Sequence, residues 1–328
     1  MTNFPPGNQS WRDLRSIKAP PKTNAKSSSK ENIMKRVGVI GLGDMGSGLA
    51  KNLIAAGFET AGFDLSEDRM KAFKVIGGIA ANSPAQVGEG AEAVFVMVMN
   101  GDQAKSVILG DGLASTMAEG SVVLLTATIK ANEVRDIAAG LEGTGIDLID
   151  TPVSGGFPGA QGGTLTMMAA GTPAAMERAK PAMEAVSQTI HHVGEDAGMG
   201  QTVKACLQSL IGSIFSATFE AAVLAAKAGV SGQVLYDVFS TSSAGSGITN
   251  NALEKIIDRK FEGTGSHINT MYKDLTISMD LARELGVPLF TAATAMQLFQ
   301  AGKTKHPEGD NWVVTRVTED IVGAQLKR

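Results

Sequence analysis

A glycine fingerprint near the start of the chain constrains the fold more than any other feature. Residues 37–64 read VGVIGLGDMGSGLAKNLIAAGFETAGFD and contain the pattern G-x-G-x-x-G at Gly41, Gly43 and Gly46. The pattern lies between an apolar strand and a helix with one apolar face, which is the context of dinucleotide-binding loops. The glycines allow a tight turn, a close approach of the backbone to a pyrophosphate and close packing of helix on strand. The alternative is a glycine-rich turn in an unrelated α/β protein.

The residue that follows the second strand indicates which dinucleotide binds. A strand over residues 60–63 ends at Asp64. A carboxylate at this point accepts hydrogen bonds from the ribose hydroxyls of NAD and repels the 2′-phosphate of NADP, for which the sequence offers no obvious arginine. We therefore expect NAD, with NADP the less favoured cofactor. The residues of the loop expected to contact it are Gly41, Leu42, Gly43, Asp44, Met45 and Gly46.

Composition excludes several classes of protein. The chain has 328 residues, 43% of them hydrophobic and 19% charged, which is enough for two globular domains. A net charge of −4 gives no basic surface for nucleic acid or an anionic membrane. The single cysteine excludes an internal disulfide and fits a reducing compartment, so we expect a cytoplasmic protein. The sequence contains no run of about 18 uninterrupted apolar residues, so it predicts no membrane span.

The first 33 residues differ from the rest of the chain. They are rich in Pro, Ser, Asn and Lys and lack apolar periodicity, so we expect a disordered leader. Prolines and few apolar residues make it a poor amphipathic transit peptide, and it has no apolar core of a secretion signal. A non-native or wrongly assigned start before Met34 is an equal alternative.

From Met34 onward, short apolar runs alternate with helical segments. Residues 91–100, 121–128 and 146–153 are nearly continuous hydrophobic runs, as expected for strands buried on both faces of a parallel sheet. Two further strands are predicted within residues 164–171 and 189–194. The carboxyl ends of such strands line the ligand crevice. The residues at these ends are candidates for cofactor or substrate contact, namely Met99, Asn100, Thr128, Ser154, Gly155 and Gly156.

The character of the sequence changes at Gly198. Apolar residues recur at helical spacing from Val203 to Leu224, with no strong breaker before Gly229, which predicts an unusually long helix. The segments beyond it also have helical patterns. We therefore expect an α/β fold with a Rossmann doubly wound sheet over residues 34–197, joined by the long helix to an all-α domain over residues 198–328.

Four segments together resemble the β-hydroxyacid dehydrogenase family, which includes 3-hydroxyisobutyrate dehydrogenases. They are GLGDMG, DTPVSGGFPGAQGGTLTMMAAG, VKACLQSLIG and MYKDLTISMDLA. Within the family the chain is most similar to the L-threonate dehydrogenase branch. The resemblance implies an NAD(P)-dependent oxidoreductase that acts on the CH–OH group of a small hydroxy acid, with a catalytic lysine in the long helix. It also implies that the helical domain builds a homodimer or homotetramer.

The resemblance places the catalytic lysine at Lys204. Oxidation of an alcohol requires a base within hydrogen-bond reach of the hydroxyl as hydride leaves. A free lysine has a pKa of about 10.4 and is a poor base at neutral pH. Burial and the positive nicotinamide would lower this pKa. The alternative is a solvated surface lysine, but Lys204 lies in a stretch of apolar and small residues.

Other residues match the family's ligand contacts. Ser154, Gly155 and Gly156 correspond to the loop that binds the substrate carboxylate, although Gly-Gly also occurs in ordinary turns. Gln208 lies one turn after Lys204 and is expected to reach the same ligand; a polar residue at a domain or subunit seam is the alternative. Met99, Asn100 and Thr128 are expected near the cofactor.

The motif KDL in the helical domain matches residues that reach the nicotinamide ribose. These are Lys273 and Asp274, which without the resemblance would be interpreted as a charge pair on a helix surface. His267 and Asn251 are weaker candidates for substrate contact. We interpret Cys206 as a small buried hydrophobic residue.

The sequence departs from the family at one position and leaves the substrate open. Leu207 occupies the place where the family commonly has Asn or His, which puts the exact substrate in doubt. Semialdehyde reduction in the reverse direction and a non-catalytic dinucleotide-binding module are the alternative functions. Imine reductase relatives are a third option, but they usually replace the lysine, so the presence of Lys204 counts against them. His191 and His192 have no partners at ligand spacing, so we expect no metal site.

Overall fold

The computed structural model describes residues 34–328. Up to Gly194 the chain alternates strands with helices. The strands are β1 (Arg36–Ile40), β2 (Glu59–Phe63), β3 (Ile79–Ala80), β4 (Ala93–Val96), β5 (Val122–Leu125), β6 (Asp147–Asp150), β7 (Val153–Ser154), β8 (Leu165–Ala170) and β9 (Ser187–Gly194). The helices between them are α1 (Asp44–Ala55), α2 (Glu67–Val75), α3 (Pro84–Gly88), α4 (Gly101–Ile108), α5 (Ala131–Leu141), α6 (Gly156–Gly162) and α7 (Pro173–Val186).

Six of these strands form a parallel sheet in the order β3-β2-β1-β4-β5-β6. The chain first runs outward from β1 through β2 to β3 and then returns to the other side of β1 with β4. This reversal is the topological switch point of a doubly wound sheet, where ligands bind outside the carboxyl ends of the strands. The predicted Rossmann architecture is confirmed.

The buried strands are shorter than the hydrophobic runs that predicted them. All residues of β4 and β5 are buried, as expected for strands covered by helices on both faces. The run over residues 146–153 is split into β6 and β7. Pro152 has no N–H to donate to a strand ladder, which accounts for the interruption.

The last three strands do not continue the parallel order of the first six. Strand β8 pairs antiparallel with β6 and β7, and β9 pairs parallel with β8 along the outer side. The pairing of β8 with β9 shifts register twice, between Leu165 and Thr166 and between Ala169 and Ala170. Most residues of β9 are exposed or half-buried.

Beyond Gly198 the regular elements of the described chain are helices, as predicted. They are α8 (Met199–Lys227), α9 (Gly232–Thr241), α10 (Gly247–Ile257), α11 (Ile268–Leu285), α12 (Phe290–Lys305) and α13 (Val314–Val322). Helix α8 packs against α10, α11, α12 and α13. The core between them contains Phe215, Phe219, Phe299 and Trp312, whose rings contact one another.

Helix α8 leaves part of its apolar surface unburied. Near its start the buried side chains include Gln201, Lys204 and Gln208, whereas Leu210 and Leu224 are 58% and 72% exposed. The exposed or half-buried residues at alternating spacings of four and three, here called the outer stripe, are Val203, Leu207, Leu210, Ile214, Ala217, Ala221 and Leu224.

Cys206 is exposed, so the interpretation of this residue as buried was wrong. It follows Lys204 by two positions, which places it on the opposite side of the helix from the buried lysine.

Among residues 34–328, α8 is the helix whose length and composition would also suit a membrane span. Its side chains Phe215 and Phe219 lie in the core of the helical part. Core packing and the outer stripe account for its apolar composition. The predicted leader over residues 1–33 lies outside the described residues.

Candidate active site

The glycine fingerprint forms a tight loop between β1 and α1. Gly41 has φ of +85°, and a Cβ on it would lie 2.1 Å from the carbonyl oxygen of Met97. A Cβ on Gly46 would lie 1.7 Å from the carbonyl oxygen of Gly41. Both positions therefore require glycine. Gly43 caps α1 without a side chain, which leaves the first N–H groups of the helix open to a phosphate.

The other loop residues differ in exposure. Leu42 is buried, Met45 is half-buried, and Asp44 is exposed at the first position of α1. The Asp44 carboxylate lies 3.6 Å from the His267 ring. The loop thus has the backbone cradle that a dinucleotide diphosphate requires.

Asp64 follows β2 directly and is held in place by the backbone. One carboxylate oxygen accepts a hydrogen bond from the Leu42 N–H at 2.7 Å, and the other accepts one from the Ser66 N–H at 2.8 Å. Arg69 of α2 lies 3.4 Å from the same carboxylate. The expectation of no arginine at this position was therefore wrong. Arg69 lies five residues after Asp64, and the first turn of α2 brings its side chain back to the carboxylate.

The ends of β4 and β5 lie next to this loop along the carboxyl edge of the sheet. Asn100 caps α4 by accepting a hydrogen bond from the Gln103 N–H at 2.9 Å, and Met99 is 61% exposed. Thr128 is half-buried after β5, and its carbonyl accepts a hydrogen bond from Lys273 Nζ at 2.6 Å. These residues therefore lie on the side of the sheet predicted for the cofactor.

The predicted carboxylate loop lies between β7 and α6. Gly155 and Gly156 have φ of +129° and +58°. These are backbone conformations that glycine adopts without strain, and successive glycines of this kind leave N–H groups available to an anion. Ser154, the last residue of β7, is half-buried at the start of the loop.

Lys204 is buried beside this loop. Its Nζ donates a hydrogen bond to the carbonyl oxygen of Val153 at 2.9 Å, and 6% of the residue is exposed. Burial lowers the pKa of the amine below its ordinary value, the Asp274 carboxylate opposes this effect, and the Lys273 ammonium adds to it. The result is an amine that gives up its proton more readily than a solvated lysine.

A chain of contacts links α8, α11 and the end of β5. Gln208 Nε2 donates to one carboxylate oxygen of Asp274 at 2.6 Å, and Lys273 Nζ lies 3.1 Å from the other. Lys273 also reaches the Thr128 carbonyl. Asp274 is 4% exposed, which excludes the alternative of a solvated surface pair. The Gln208 amide nitrogen is engaged within the protein.

Sequence reasoning missed two polar residues at the centre of this region. Asp150, the last residue of β6, and Gln201, in the first turn of α8, are each 1% exposed. The signal in the sequence was an acid that ends an apolar strand. The weaker candidates differ in position: Asn251 is exposed on α10, whereas His267 lies between Asp44 and Asp310.

Comparisons with known proteins agree with this geometry. Residues 36–194 match the NAD binding domain of 6-phosphogluconate dehydrogenase, and residues 198–317 match the NAD-binding domain of NADP-dependent 3-hydroxyisobutyrate dehydrogenase. The L-threonate dehydrogenase of Escherichia coli strain K12 is 34% identical over 87% of this chain and 95% of its own. The NAD-dependent L-serine dehydrogenase of Pseudomonas aeruginosa is 32% identical over 88% and 100%.

A solved structure has the same architecture. The 3-hydroxyisobutyrate dehydrogenase from Salmonella typhimurium superposes with a TM-score of 0.80 at 33% identity, and the match covers 86% of this chain and 99% of that one. The chain belongs to the 3-hydroxyisobutyrate dehydrogenase-related β-hydroxyacid dehydrogenase family and is an NAD-binding oxidoreductase that acts on CH–OH groups.

Proposed function

We propose that the protein oxidises a small hydroxy acid resembling L-threonate, with NAD as hydride acceptor and Lys204 as general base. The observation that carries this proposal is the buried Lys204 amine, which lies beside the Ser154 to Gly156 loop with a lowered pKa. A base for this reaction must be partly neutral near the working pH. Two dehydrogenases of hydroxylated acids among the relatives support the same class of substrate.

In this proposal the N-terminal part, residues 34–197, holds the cofactor. The N–H groups that follow Gly43 contact the diphosphate, Asp64 contacts the adenosine ribose, and the end of β5 at Thr128 lies near the nicotinamide side. Asn100 and Met99 line the same edge. Bound NAD supplies the hydride acceptor.

The helical part, residues 198–328, completes the site. Neutral Lys204 takes the hydroxyl proton as the carbon loses hydride, and the Val153 carbonyl orients the amine. The ammonium that forms is favoured by the nearby Asp274 carboxylate. Backbone N–H groups at Ser154, Gly155 and Gly156 bind the substrate carboxylate.

The contacts of three polar residues refine their proposed roles. The nitrogen of Gln208 is held by Asp274, so only its carbonyl oxygen remains for a substrate hydroxyl. Lys273 and Asp274 act mainly by linking α11 to the Thr128 loop on the cofactor side. Leu207 presents no hydrogen-bonding group where the family commonly has Asn or His.

We also propose that NAD is preferred over NADP. Both oxygens of Asp64 are fixed by backbone N–H groups, so its negative charge faces the position of a 2′-phosphate. Arg69 partly offsets this charge from an exposed position, since more than half of its side chain is accessible. The carboxylate is the better buried of the two groups and sets the preference.

A homodimer or homotetramer and a cytoplasmic location are part of the proposal. The outer stripe of α8 leaves Leu210 and Leu224 largely in water within a single copy of the described chain. Its alternating spacing of four and three is the pattern of residues that pack between helices. A second copy of this chain is the partner that would cover it.

The decisive experiment replaces Lys204 by Ala and assays NAD reduction over L-threonate, D-glycerate, L-serine, 3-hydroxyisobutyrate and 4-hydroxybutyrate. We expect kcat to fall by roughly 10²–10⁴-fold, the range for a positioned proton-transfer group. In the wild type, oxidation should rise with pH through the pKa of the amine, because only the neutral form accepts a proton. NAD affinity should persist, since its main contacts lie elsewhere.

Lys227→Ala is the matched control, because Lys227 is an exposed lysine of the same helix. It should leave kcat unchanged. Near-normal turnover of Lys204→Ala would disprove the role of this lysine. NAD binding without oxidation of any acid or reduction of the matching semialdehydes by the wild type would favour a non-catalytic dinucleotide-binding module.

A further inference from the structure

Two buried polar side chains meet where the sheet joins helix α8. The Asp150 carboxylate accepts hydrogen bonds from the Gly198 and Gln201 N–H groups, each at 3.1 Å, and from Gln201 Nε2 at 2.9 Å. The first two donors belong to the start of α8. Asp150 therefore fixes the beginning of this helix to the end of β6, at a place where water is excluded from both side chains.

Gln201 extends the same contact to the end of β5. Its Oε1 accepts a hydrogen bond from the Ile129 N–H at 3.1 Å, and its Nε2 donates to the Ala127 carbonyl at 3.0 Å. These two groups flank Thr128, a proposed cofactor contact. Because one planar amide binds the backbone on both sides of Thr128, it restricts the conformation of that turn.

Lys204 depends on the same junction for its position. It follows Gln201 by three residues, so the two side chains project from the same face of α8. Its hydrogen-bond acceptor, Val153, follows Asp150 by three residues along the chain. Two links therefore join the same pair of segments, one at Asp150 and the other at Lys204.

The packing at this junction leaves no room for a side chain at Gly200. A Cβ on Gly200 would lie 2.5 Å from the Asp150 carbonyl oxygen and 2.6 Å from the Met168 carbonyl oxygen. The backbone of α8 thus rests directly on the strands. A small displacement of this helix would move the Lys204 amine relative to the loop at Ser154.

We infer that Asp150 and Gln201 are positioning residues. They hold the Lys204 amine and the Thr128 turn in the relative geometry needed to remove a proton from the substrate hydroxyl while a hydride leaves the carbon that bears it. Neither touches the substrate. The inference rests on the proposed role of Lys204. It explains why a fully hydrogen-bonded polar pair occupies a position that an apolar pair could fill at similar volume.

The test is Gln201→Met, which keeps an unbranched side chain of similar length and removes all three hydrogen bonds of the amide. We expect kcat to fall by about 10²-fold, the effect of a displacement of about 1 Å in a reacting group. KM for NAD should rise several-fold because the Thr128 turn loses its support. The rising limb of kcat against pH should move to higher pH, since a less confined Lys204 amine is better hydrated.

Thr202→Val is the matched control in the same turn. Thr202 is half-buried, and in the part of the chain that the structure describes its hydroxyl donates a hydrogen bond to the Gly198 carbonyl of the same helix. The kcat of this variant, its KM for NAD and the pH at which its kcat rises should equal those of the wild type. Asp150→Asn serves as the second variant, because it keeps the shape and places an NH₂ group against N–H donors. It should shift the same three quantities in the same directions.

The outcomes are distinct. If Lys204→Ala is active, the proposed function fails and the positioning inference falls with it. If Lys204→Ala is inactive while Gln201→Met matches the wild type, only the positioning inference is overturned. A lower kcat with an unchanged KM for NAD and an unchanged dependence of kcat on pH would also overturn the positioning inference. Failure of both variants to fold would overturn it as well, because the pair would then serve stability alone.

Discussion

Replacement of Asp150 by Asn should change how the stability of the protein depends on pH. Burial raises the pKa of Asp150 from 3.8 to about 6, and the N–H groups of Gln201, Gly198 and Gly200 offset only part of this effect. The folded state therefore binds a proton at Asp150 more tightly than the unfolded chain does. The stabilising contribution is complete below pH 3.8 and is lost as pH rises through about 6.

The magnitude follows from the difference between the two pKa values. It is about two units, and each unit corresponds to ~1.4 kcal/mol, so the wild type should lose about 3 kcal/mol relative to Asp150→Asn. Asp150 is 1% exposed, so solvent screening does not reduce this figure appreciably. The variant does not titrate at this position and carries all other ionisable groups, so the difference isolates one carboxyl.

Urea unfolding of both proteins at a series of pH values between about 4 and 7.5 measures this difference. The unfolding free energy of the wild type minus that of the variant should fall by about 2.5 kcal/mol across this range, which is the part of the total that titrates above pH 4. A difference that rises with pH would refute the reasoning, because the hydrogen bonds to the ionised carboxylate would then outweigh its loss of hydration. A constant difference would refute the raised pKa.

Two other predictions concern the cofactor and the assembly. Asp64→Ser should lower the ratio of kcat/KM for NAD to kcat/KM for NADP. The double variant Asp64→Ser with Arg69→Ala should show no more NADP activity than the wild type, because Arg69 is then absent. A wild type that uses NADP as well as NAD would contradict the preference. Light scattering should show a wild-type particle of at least twice the 33.9 kDa chain mass and a smaller one for Leu210→Glu. Val75→Glu, on exposed α2, should keep the wild-type mass; a wild-type monomer would disprove the assembly.

The fold could be predicted because its signals are local. The spacing of Gly41, Gly43 and Gly46 reflects steric limits within a few residues, and the structure confirms the strand, loop and helix around them. The long helix was predictable because apolar residues recur between Gly198 and Gly229 without a breaker. Lys204 stood out because its surroundings in the sequence are apolar, and the structure buries it.

The remaining features depend on contacts between distant parts of the chain. Periodicity places Cys206 and Leu210 on a helix but does not say which face meets the sheet, and the structure exposes both. Gln201 resembles an ordinary polar residue near a helix start until the turn at residues 127–129, more than 70 positions earlier, is brought against it. Arg69 was missed because its approach to Asp64 requires the first turn of α2 to fold back.

The irregular outer strand of the sheet limits how copies of this protein can associate. Within residues 34–328, strand β9 pairs on one side with β8 and on the other with no strand. An unpaired edge is a template for aggregation with another sheet. Two register shifts against β8 and a mostly exposed, polar face interrupt the row of backbone groups that such pairing needs. At the opposite edge, β3 has only two residues. Edge-to-edge stacking into open-ended fibres is therefore disfavoured, which is compatible with the closed assembly through the outer stripe of α8 that we propose.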